Sequence, residues 1–137
     1  GSAAVREPAL VDEVARVLPV AVGLDHRDGV LAVHGWTESS GTELDDALGA
    51  FPAASAFVIT DISRDGMLAG PDLDGLARAV SASPVPVIAS GGVASLADLG
   101  RLVAIDGLAG IITGKAVYEG RFTVTEALEV CRTGVAS

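Results

Sequence analysis

The chain alternates short apolar runs with longer segments whose apolar residues recur at helical spacing, and this alternation constrains its fold more than any other feature. Four of the runs are too short for helices and rich in β-branched residues, which is typical of buried strands. The predicted strands span residues 20–24, 56–60, 85–89 and 110–113. Apolar strands that alternate with helices indicate an α/β fold whose parallel sheet is covered by helices.

Helices are predicted before the first strand and after each strand. They span residues 8–18, 42–51, 73–80, 95–103 and 125–132. Ser95 is predicted to cap the fourth helix, with Asp98 in the reciprocal position of a capping box. Residues 30–33 are predicted to pair back on the first strand through a turn at Asp28-Gly29. This order fits both an open doubly wound sheet and half of an eight-fold barrel, and the pattern alone does not choose between them.

The composition excludes several classes of function. With 137 residues, half of them hydrophobic, the chain is long enough for one domain with a real core. Its net charge of −9 argues against a nucleic-acid-binding surface, which requires clustered positive charge. No charged segment precedes an apolar run, so neither a secretion signal nor a membrane span is expected. The lone Cys131 allows no internal disulfide and no cysteine metal cluster, so we expect a reducing, cytoplasmic compartment.

The unusual residues gather directly after the predicted strands, where both architectures bind their ligands. They are Asp25 after the first strand, Thr60, Asp61, Arg64, Asp65 and Gly66 after the second, Ser90, Gly91 and Gly92 after the third, and Gly114 and Lys115 after the fourth. A glycine-bearing turn that leads into a helix exposes backbone N–H groups that suit a phosphate. For each turn taken alone, the alternative is that glycine only permits a tight connection. Because two such turns are adjacent, they favour a phosphate site.

Two carboxylates at strand ends, Asp25 and Asp65, are candidates for proton transfer, since a carboxylate in a cleft can act as a general acid or base. A lone Asp in a loop more often forms a turn or a cap, and that is the preferred interpretation for Asp61. Trp36, the only tryptophan, is predicted either to pack in the core or to stack on a flat ring. The residue pattern nominates these side chains without assigning a reaction.

Five segments together resemble the phosphoribosyl isomerase A family (HisA/PriA). They are similar, in order, to the fourth to eighth strand ends of that family's barrel. The segments are residues 1–8, residues 22–25 with Gly35-Trp36, and residues 58–71, 87–93 and 110–118. The match runs through the whole chain. It implies the C-terminal half of a TIM (βα)8 barrel, with four parallel strands and helices outside. It also implies a single half-barrel domain, residues 1–137, made of helix 4 and strand–helix units 5 to 8.

The resemblance implies an Amadori rearrangement in histidine biosynthesis, in which an aminoaldose bearing a phosphoribosylated imidazole carboxamide becomes the aminoketose. Some members also isomerise phosphoribosyl anthranilate in tryptophan biosynthesis, and these carry an arginine where this chain has His34. By resemblance, Asp65 transfers protons, and its counterpart is an aspartate of the first barrel strand, which this chain lacks. The family uses no metal ion and no organic cofactor.

The same resemblance implies roles for the remaining candidates. Asp25, Thr60 and His34 would contact the substrate, and Trp36 would stack on it or cover it. One phosphate of the bis-phosphorylated substrate would lie against Ser90, Gly91, Gly92, Gly114 and Lys115, and the other near Ser2. An acidic protein could then bind a substrate with two phosphates through local sites of positive potential.

Half of a barrel has two edge strands, predicted near residues 20–24 and 110–113, which expose unpaired backbone and apolar faces. We therefore expect pairing with an N-terminal half-barrel or with a second copy, no nucleic-acid or membrane partner, and little isomerase activity from the chain alone. Two alternatives stay open. One is a non-catalytic half-barrel that self-associates and binds phosphate. The other is the cyclase subunit of imidazole glycerol phosphate synthase, a sister barrel with an Asp-Gly loop after its sixth strand.

Overall fold

The computed structural model describes residues 1–136 and contains helices and strands in alternation. The helices are α1 (Ser2–Arg6), α2 (Ala9–Ala15), α3 (Leu44–Leu48), α4 (Leu73–Ala82), α5 (Leu96–Val103), α6 (Lys115–Tyr118) and α7 (Val124–Thr133). The strands are β1 (Ala21–Arg27), β2 (Val30–Val33), β3 (Glu38–Glu43), β4 (Ala56–Asp61), β5 (Val87–Ser90) and β6 (Leu108–Ile112). The four predicted strands are confirmed, with ends displaced by a few residues.

The described strands form one six-stranded sheet in the order β3-β2-β1-β4-β5-β6. β1, β4, β5 and β6 are parallel neighbours in chain order, whereas β1, β2 and β3 form an antiparallel meander at one side. A doubly wound sheet reverses its strand order at a switch point, and this sheet does not. The parallel part is therefore half of a (βα)8 barrel.

One face of the sheet carries the hydrophobic core. Leu24 in β1, Phe57 and Ile59 in β4, and Val87 in β5 are almost completely buried and belong to one cluster with apolar residues of α3, α4 and α5. The intervening residues, such as Val58 in β4, are only partly buried. Helices thus cover one face, and the strands present their alternate residues to the other face, as barrel strands do toward the barrel axis.

The helix predicted for residues 42–51 is shorter than expected, because the preceding residues form a strand. Residues Glu38–Glu43 pair with β2, and the Leu44 backbone N–H donates to the Gly29 carbonyl at 2.7 Å. Only Leu44–Leu48 is helical. The first predicted helix, 8–18, is also shorter: it ends at Ala15, and Val17 is 81% exposed.

Helix caps differ in part from the prediction. The Ser95 hydroxyl accepts from the Asp98 backbone N–H at 3.2 Å, as expected for the start of α5. The buried Asp98 carboxylate, however, accepts from the Ala94 N–H at 2.9 Å and pairs with Arg101, so the reciprocal half of the capping box is wrong. A complete capping box, which the sequence analysis missed, begins α7.

The two predicted open edges are not equivalent. β6 is an edge of the sheet, as predicted. β1 pairs with β2 only at His26 and Arg27, beyond residues 20–24, and within that predicted edge the Gly1 nitrogen donates to the Gly23 carbonyl at 2.7 Å. Among the described residues, no strand pairs with residues 20–24 on the side away from β4, which agrees with the prediction. Among the described residues, no helix has both the length and the apolar character needed to cross a membrane.

Candidate active site

Three predicted site residues lie in one row across the carboxyl ends of the parallel strands. Asp25 in β1 pairs in register with Thr60 in β4, and Thr60 pairs with Ser90 in β5. Their neighbours Leu24, Ile59 and Ala89 point to the helix-covered face and are buried. Because side chains alternate along a strand, the row points to the opposite face, which corresponds to the barrel interior.

A tight turn after β4 holds Asp65 above this row. The Asp61 carbonyl accepts from the backbone N–H groups of Arg64 at 3.1 Å and Asp65 at 3.0 Å. The Asp61 carboxylate accepts from the Ser63 backbone N–H at 3.1 Å and lies 3.3 Å from the Arg64 guanidinium. Asp61 therefore orders the turn, as predicted. The Asp65 side chain is exposed and makes no hydrogen bond within residues 1–136, so its carboxylate is free to act on a ligand.

Gly91 and Gly92 bring the turn after β5 against the Asp65 loop. Their φ angles are +96° and +82°, in the left-handed region that favours glycine. A Cβ on Gly91 would lie 3.5 Å from the Asp65 Cβ, and one on Gly92 would lie 2.5 Å from the Gly70 carbonyl oxygen. The Gly70 N–H donates to the Gly92 carbonyl at 2.8 Å. Close packing of the two loops therefore accounts for both glycines, whether or not they bind phosphate.

Gly114 differs from these two glycines. Its φ is −127°, and a Cβ built there would meet nothing within 4 Å. Crowding within the described residues therefore does not require glycine at this position.

A cavity of about 270 Å³ lies between these loops. Its lining brings together most of the residues predicted for proton transfer and phosphate binding: Asp65, Ser90, Gly91, Gly92, Gly114 and Lys115. Lys115 is the only basic residue among those that line it. Its Nζ donates to the Gly66 carbonyl at 2.8 Å and lies 3.8 Å from a Glu119 carboxylate oxygen.

The other predicted residues form a second group beside β1. The Trp36 indole N–H donates to Asp25 Oδ2 at 2.7 Å, and Trp36 is 38% exposed, which excludes the core interpretation. The His34 backbone N–H donates to the Ser2 hydroxyl at 3.0 Å. Two residues of this loop adopt left-handed backbone, His34 with φ of +54° and Trp36 with φ of +74°. Asp25, which lies in the strand-end row, connects this group to Thr60 and Ser90.

Sequence reasoning missed Arg6. Its guanidinium contacts the His34 imidazole, which lies 3.4 Å from the Glu38 carboxylate. Two sequence features could have nominated Arg6 as a site residue: it is one of nine basic residues in an acidic chain, and it lies close to Ser2 along the chain.

A second, larger cavity of about 390 Å³ was also missed. It lies between the β1–β2 turn and α4, and its polar lining includes His26, Asp28, Glu43, Arg64 and Arg78. His26 is buried and accepts from the Gly29 N–H at 3.2 Å. A histidine at a core-facing position of β1 was the signal for this cavity. Within residues 1–136, no three His, Cys, Asp or Glu side chains are arranged to hold a metal ion.

Comparison with known proteins identifies the family. The profile of the family described as "Histidine biosynthesis protein" matches residues 1–123. A relative from Geobacter sulfurreducens is 44% identical over 142 residues, which cover 99% of this chain and 58% of the relative. A relative from Nitrobacter hamburgensis is 47% identical over 143 residues, which cover 100% of this chain and 58% of the relative. Both are named 1-(5-phosphoribosyl)-5-((5-phosphoribosylamino)methylideneamino) imidazole-4-carboxamide isomerase.

The chain spans 58% of the length of these relatives and matches their carboxyl-terminal half. The strand ends described above therefore correspond to those of the second half of a barrel. The predicted family is confirmed: the chain belongs to the histidine biosynthesis protein family, among its phosphoribosyl isomerase (HisA/PriA) members.

Proposed function

We propose that this chain supplies one half of the active site of an aldose–ketose isomerase of histidine biosynthesis, acting on the substrate class in its relatives' name. The observation that carries the proposal is the free Asp65 carboxylate, which lines a cavity together with Gly91, Gly92 and Lys115. A proton-transfer group beside an anion site is what a phosphorylated sugar substrate requires.

The proposed chemistry is a sequence of proton transfers. The ring oxygen of the aminoaldose accepts a proton as its bond to C1 breaks, which leaves a cationic imine. Removal of the C2 proton then gives an enolamine. Loss of the hydroxyl proton and protonation of C1 complete the aminoketose, so no oxidant or reductant is consumed. Asp65 is proposed as one of two carboxylates that carry these protons. The family resemblance assigns the second to the first barrel strand.

One phosphate of the substrate is proposed to bind in the 270 Å³ cavity, held by backbone amides of the two glycine turns and by the charge of Lys115. Asp25 and Thr60, in the strand-end row, would contact the sugar. The Trp36 ring, oriented by its hydrogen bond to Asp25, would cover the substrate. Ser2 would lie near the second phosphate, with His34 beside it.

The edge of the sheet at β6 supports a proposal about assembly. Ile112 is 48% exposed, and Tyr118, Val124 and Leu128 nearby are more exposed still. The Thr113 hydroxyl is buried and has no hydrogen-bond partner within residues 1–136. We propose that an N-terminal half-barrel, or else a second copy of this chain, covers this edge in a reducing cytoplasm.

The name carried by the relatives favours the isomerase over the cyclase of the sister barrel. Isomerisation of phosphoribosyl anthranilate, the tryptophan-pathway reaction, stays a prediction that an activity assay has to test. The presence of His34, where dual-specificity members have arginine, leads us to expect lower activity with the anthranilate substrate than with the histidine-pathway substrate.

The decisive test joins this chain to the N-terminal segment of the Geobacter sulfurreducens relative and measures isomerisation of the histidine-pathway aminoaldose. We expect turnover by the joined barrel and its loss, by about a thousandfold or more, in Asp65→Asn, because a neutral amide cannot transfer the proton. Asp106→Asn is the matched control, since this exposed aspartate precedes β6 at the opposite end of the sheet. Full activity of Asp65→Asn would refute the proposed function.

A further inference from the structure

Lys115 joins two loops that follow different strands. It is the first residue of α6, after β6, and its Nζ donates at 2.8 Å to the carbonyl of Gly66, in the loop after β4. Gly66 directly follows Asp65. The bond therefore links the loop that bears the free carboxylate to the opposite wall of the anion cavity.

The segment around Asp65 has few other attachments. The Asp65 N–H donates to Asp61 and the Met67 N–H donates to Arg64, both within the same loop. Within residues 1–136, the bond from Lys115 is the only hydrogen bond that reaches residues 65–68 from outside that loop. Leu68 packs on the core at one side, whereas Met67 is 67% exposed. Lys115 is thus placed to decide where the Asp65 carboxylate lies.

An ammonium group has three donors. In this structure one N–H of Lys115 faces the Gly66 carbonyl, and a Glu119 carboxylate oxygen lies 3.8 Å from Nζ. A further N–H therefore remains for an anion in the cavity that Lys115 lines. We propose that Lys115 is a positioning residue that couples occupancy of the anion cavity to the placement of Asp65. A bound phosphate would fix the ammonium, and the ammonium would fix the loop. The kinetic part of this inference rests on the proposed function, whereas the loop contact does not.

The first test uses the chain alone and reads its backbone amide resonances without and with inorganic phosphate. Lys115→Met should displace the resonances of residues 65–67 before phosphate is added, and Lys115→Arg should displace them less because it keeps a donor and the charge. Arg121→Met, which removes one exposed positive charge nearby, is the control and should leave them in place. Unmoved resonances in Lys115→Met would overturn the positioning role, even if phosphate failed to bind the unaltered chain.

The second test uses the joined barrel. Lys115→Met should lower kcat roughly tenfold, the effect expected for one lost hydrogen bond to a charged donor, and should also raise KM, because the ammonium helps to hold the phosphate. Lys115→Arg should recover most of kcat. A tenfold rise in KM at unchanged kcat would instead make Lys115 a simple phosphate ligand and overturn the proposal. Loss of activity in the unaltered barrel would count against the proposed function, and the amide resonances would still decide the role of Lys115.

Discussion

The two groups of site residues are held in place by different means. Beside β4 and β5, the loops contact each other through backbone atoms, and a side chain on Gly92 would clash with the Gly70 carbonyl, whereas Lys115 after β6 reaches Gly66 through its side chain. Beside β1, His34 and Trp36 adopt left-handed backbone with full side chains, and contacts to Ser2 and Asp25 hold them. The first group is therefore built into the packing of the fold. The second depends on individual side-chain contacts that a substitution can release without unfolding the sheet.

The largest effect is expected from Gly92→Ala. Its Cβ would lie 2.5 Å from the Gly70 carbonyl oxygen at a φ of +82°, so the two loops must separate. We expect unfolding in urea to become easier by about 3 kcal/mol, the range for a residue forced into strained backbone with a steric clash.

Gly114→Ala is the matched control for Gly92→Ala, since open space surrounds that position. Its free energy of unfolding should change by less than about 0.5 kcal/mol. Equal destabilisation by the two variants would contradict the view that backbone packing holds this side of the site.

A smaller effect is expected from Trp36→Phe, which keeps an aromatic ring and removes the indole N–H that bonds to Asp25 at 2.7 Å. Stability should fall by about 1 kcal/mol, the usual net value of one hydrogen bond. Phosphate affinity in the glycine-lined cavity, measured by titration of amide resonances, should stay within about twofold.

Tyr118→Phe is the control for Trp36→Phe, because the Tyr118 side chain is 92% exposed and its hydroxyl has no partner within residues 1–136. It should leave both stability and phosphate affinity unchanged. A large change of phosphate affinity in Trp36→Phe would show that the two groups of site residues act as one unit. It would contradict the view that they are held in place independently.

The smallest effect concerns α7, which lies outside both groups. The backbone N–H of Thr123 donates to the Glu126 carboxylate and lowers its pKa below the ordinary value of 4.5, with the Thr123 hydroxyl adding to the effect. Because the folded pKa is depressed, this stabilisation is present above pH 4.5 and is lost as the pH falls through the folded pKa.

The measurement for α7 is amide exchange of its first turn between about pH 6 and pH 3, with Glu126→Gln as the comparison. Glutamine can still accept from the Thr123 N–H and does not titrate in this range, so protection at the start of α7 should become independent of pH. A persistent pH dependence in Glu126→Gln would assign the effect to another group.

The short apolar strands were predictable because burial on the sheet selects β-branched residues locally. Residues 56–60, for example, correspond to β4 at Ala56–Asp61. The start of α3 was not predictable in the same way. Thr42 and Glu43 suit a helix start, yet they lie in β3 because β2 offers backbone partners that only the folded chain supplies. The capping box at Ser95 failed for a similar reason, since the Asp98 carboxylate has a better partner in the Ala94 N–H and in Arg101.

For the site, residue types and their positions after strands nominated Asp65, Ser90, Gly91, Gly92, Gly114 and Lys115, and these do line one cavity. The contact of Arg6 with His34 was not nominated, because the two residues are 28 positions apart and no local pattern connects them. The bond from Lys115 to Gly66 spans 49 positions and was missed for the same reason.

The sequence by itself determined which segments become buried strands, which residues follow them, and the family to which the chain belongs, because these depend on local spacing and on motifs that survive without coordinates. Only the tertiary structure decided that the strands lie in chain order with one face open to the barrel interior. It alone showed that a side chain on Gly92 would meet the Gly70 carbonyl, that Trp36 bonds to Asp25, and that Lys115 bonds to Gly66 beside Asp65. The physical reason is that hydrogen bonds and steric contacts act over a few ångströms, so they depend on which distant segments the fold brings together.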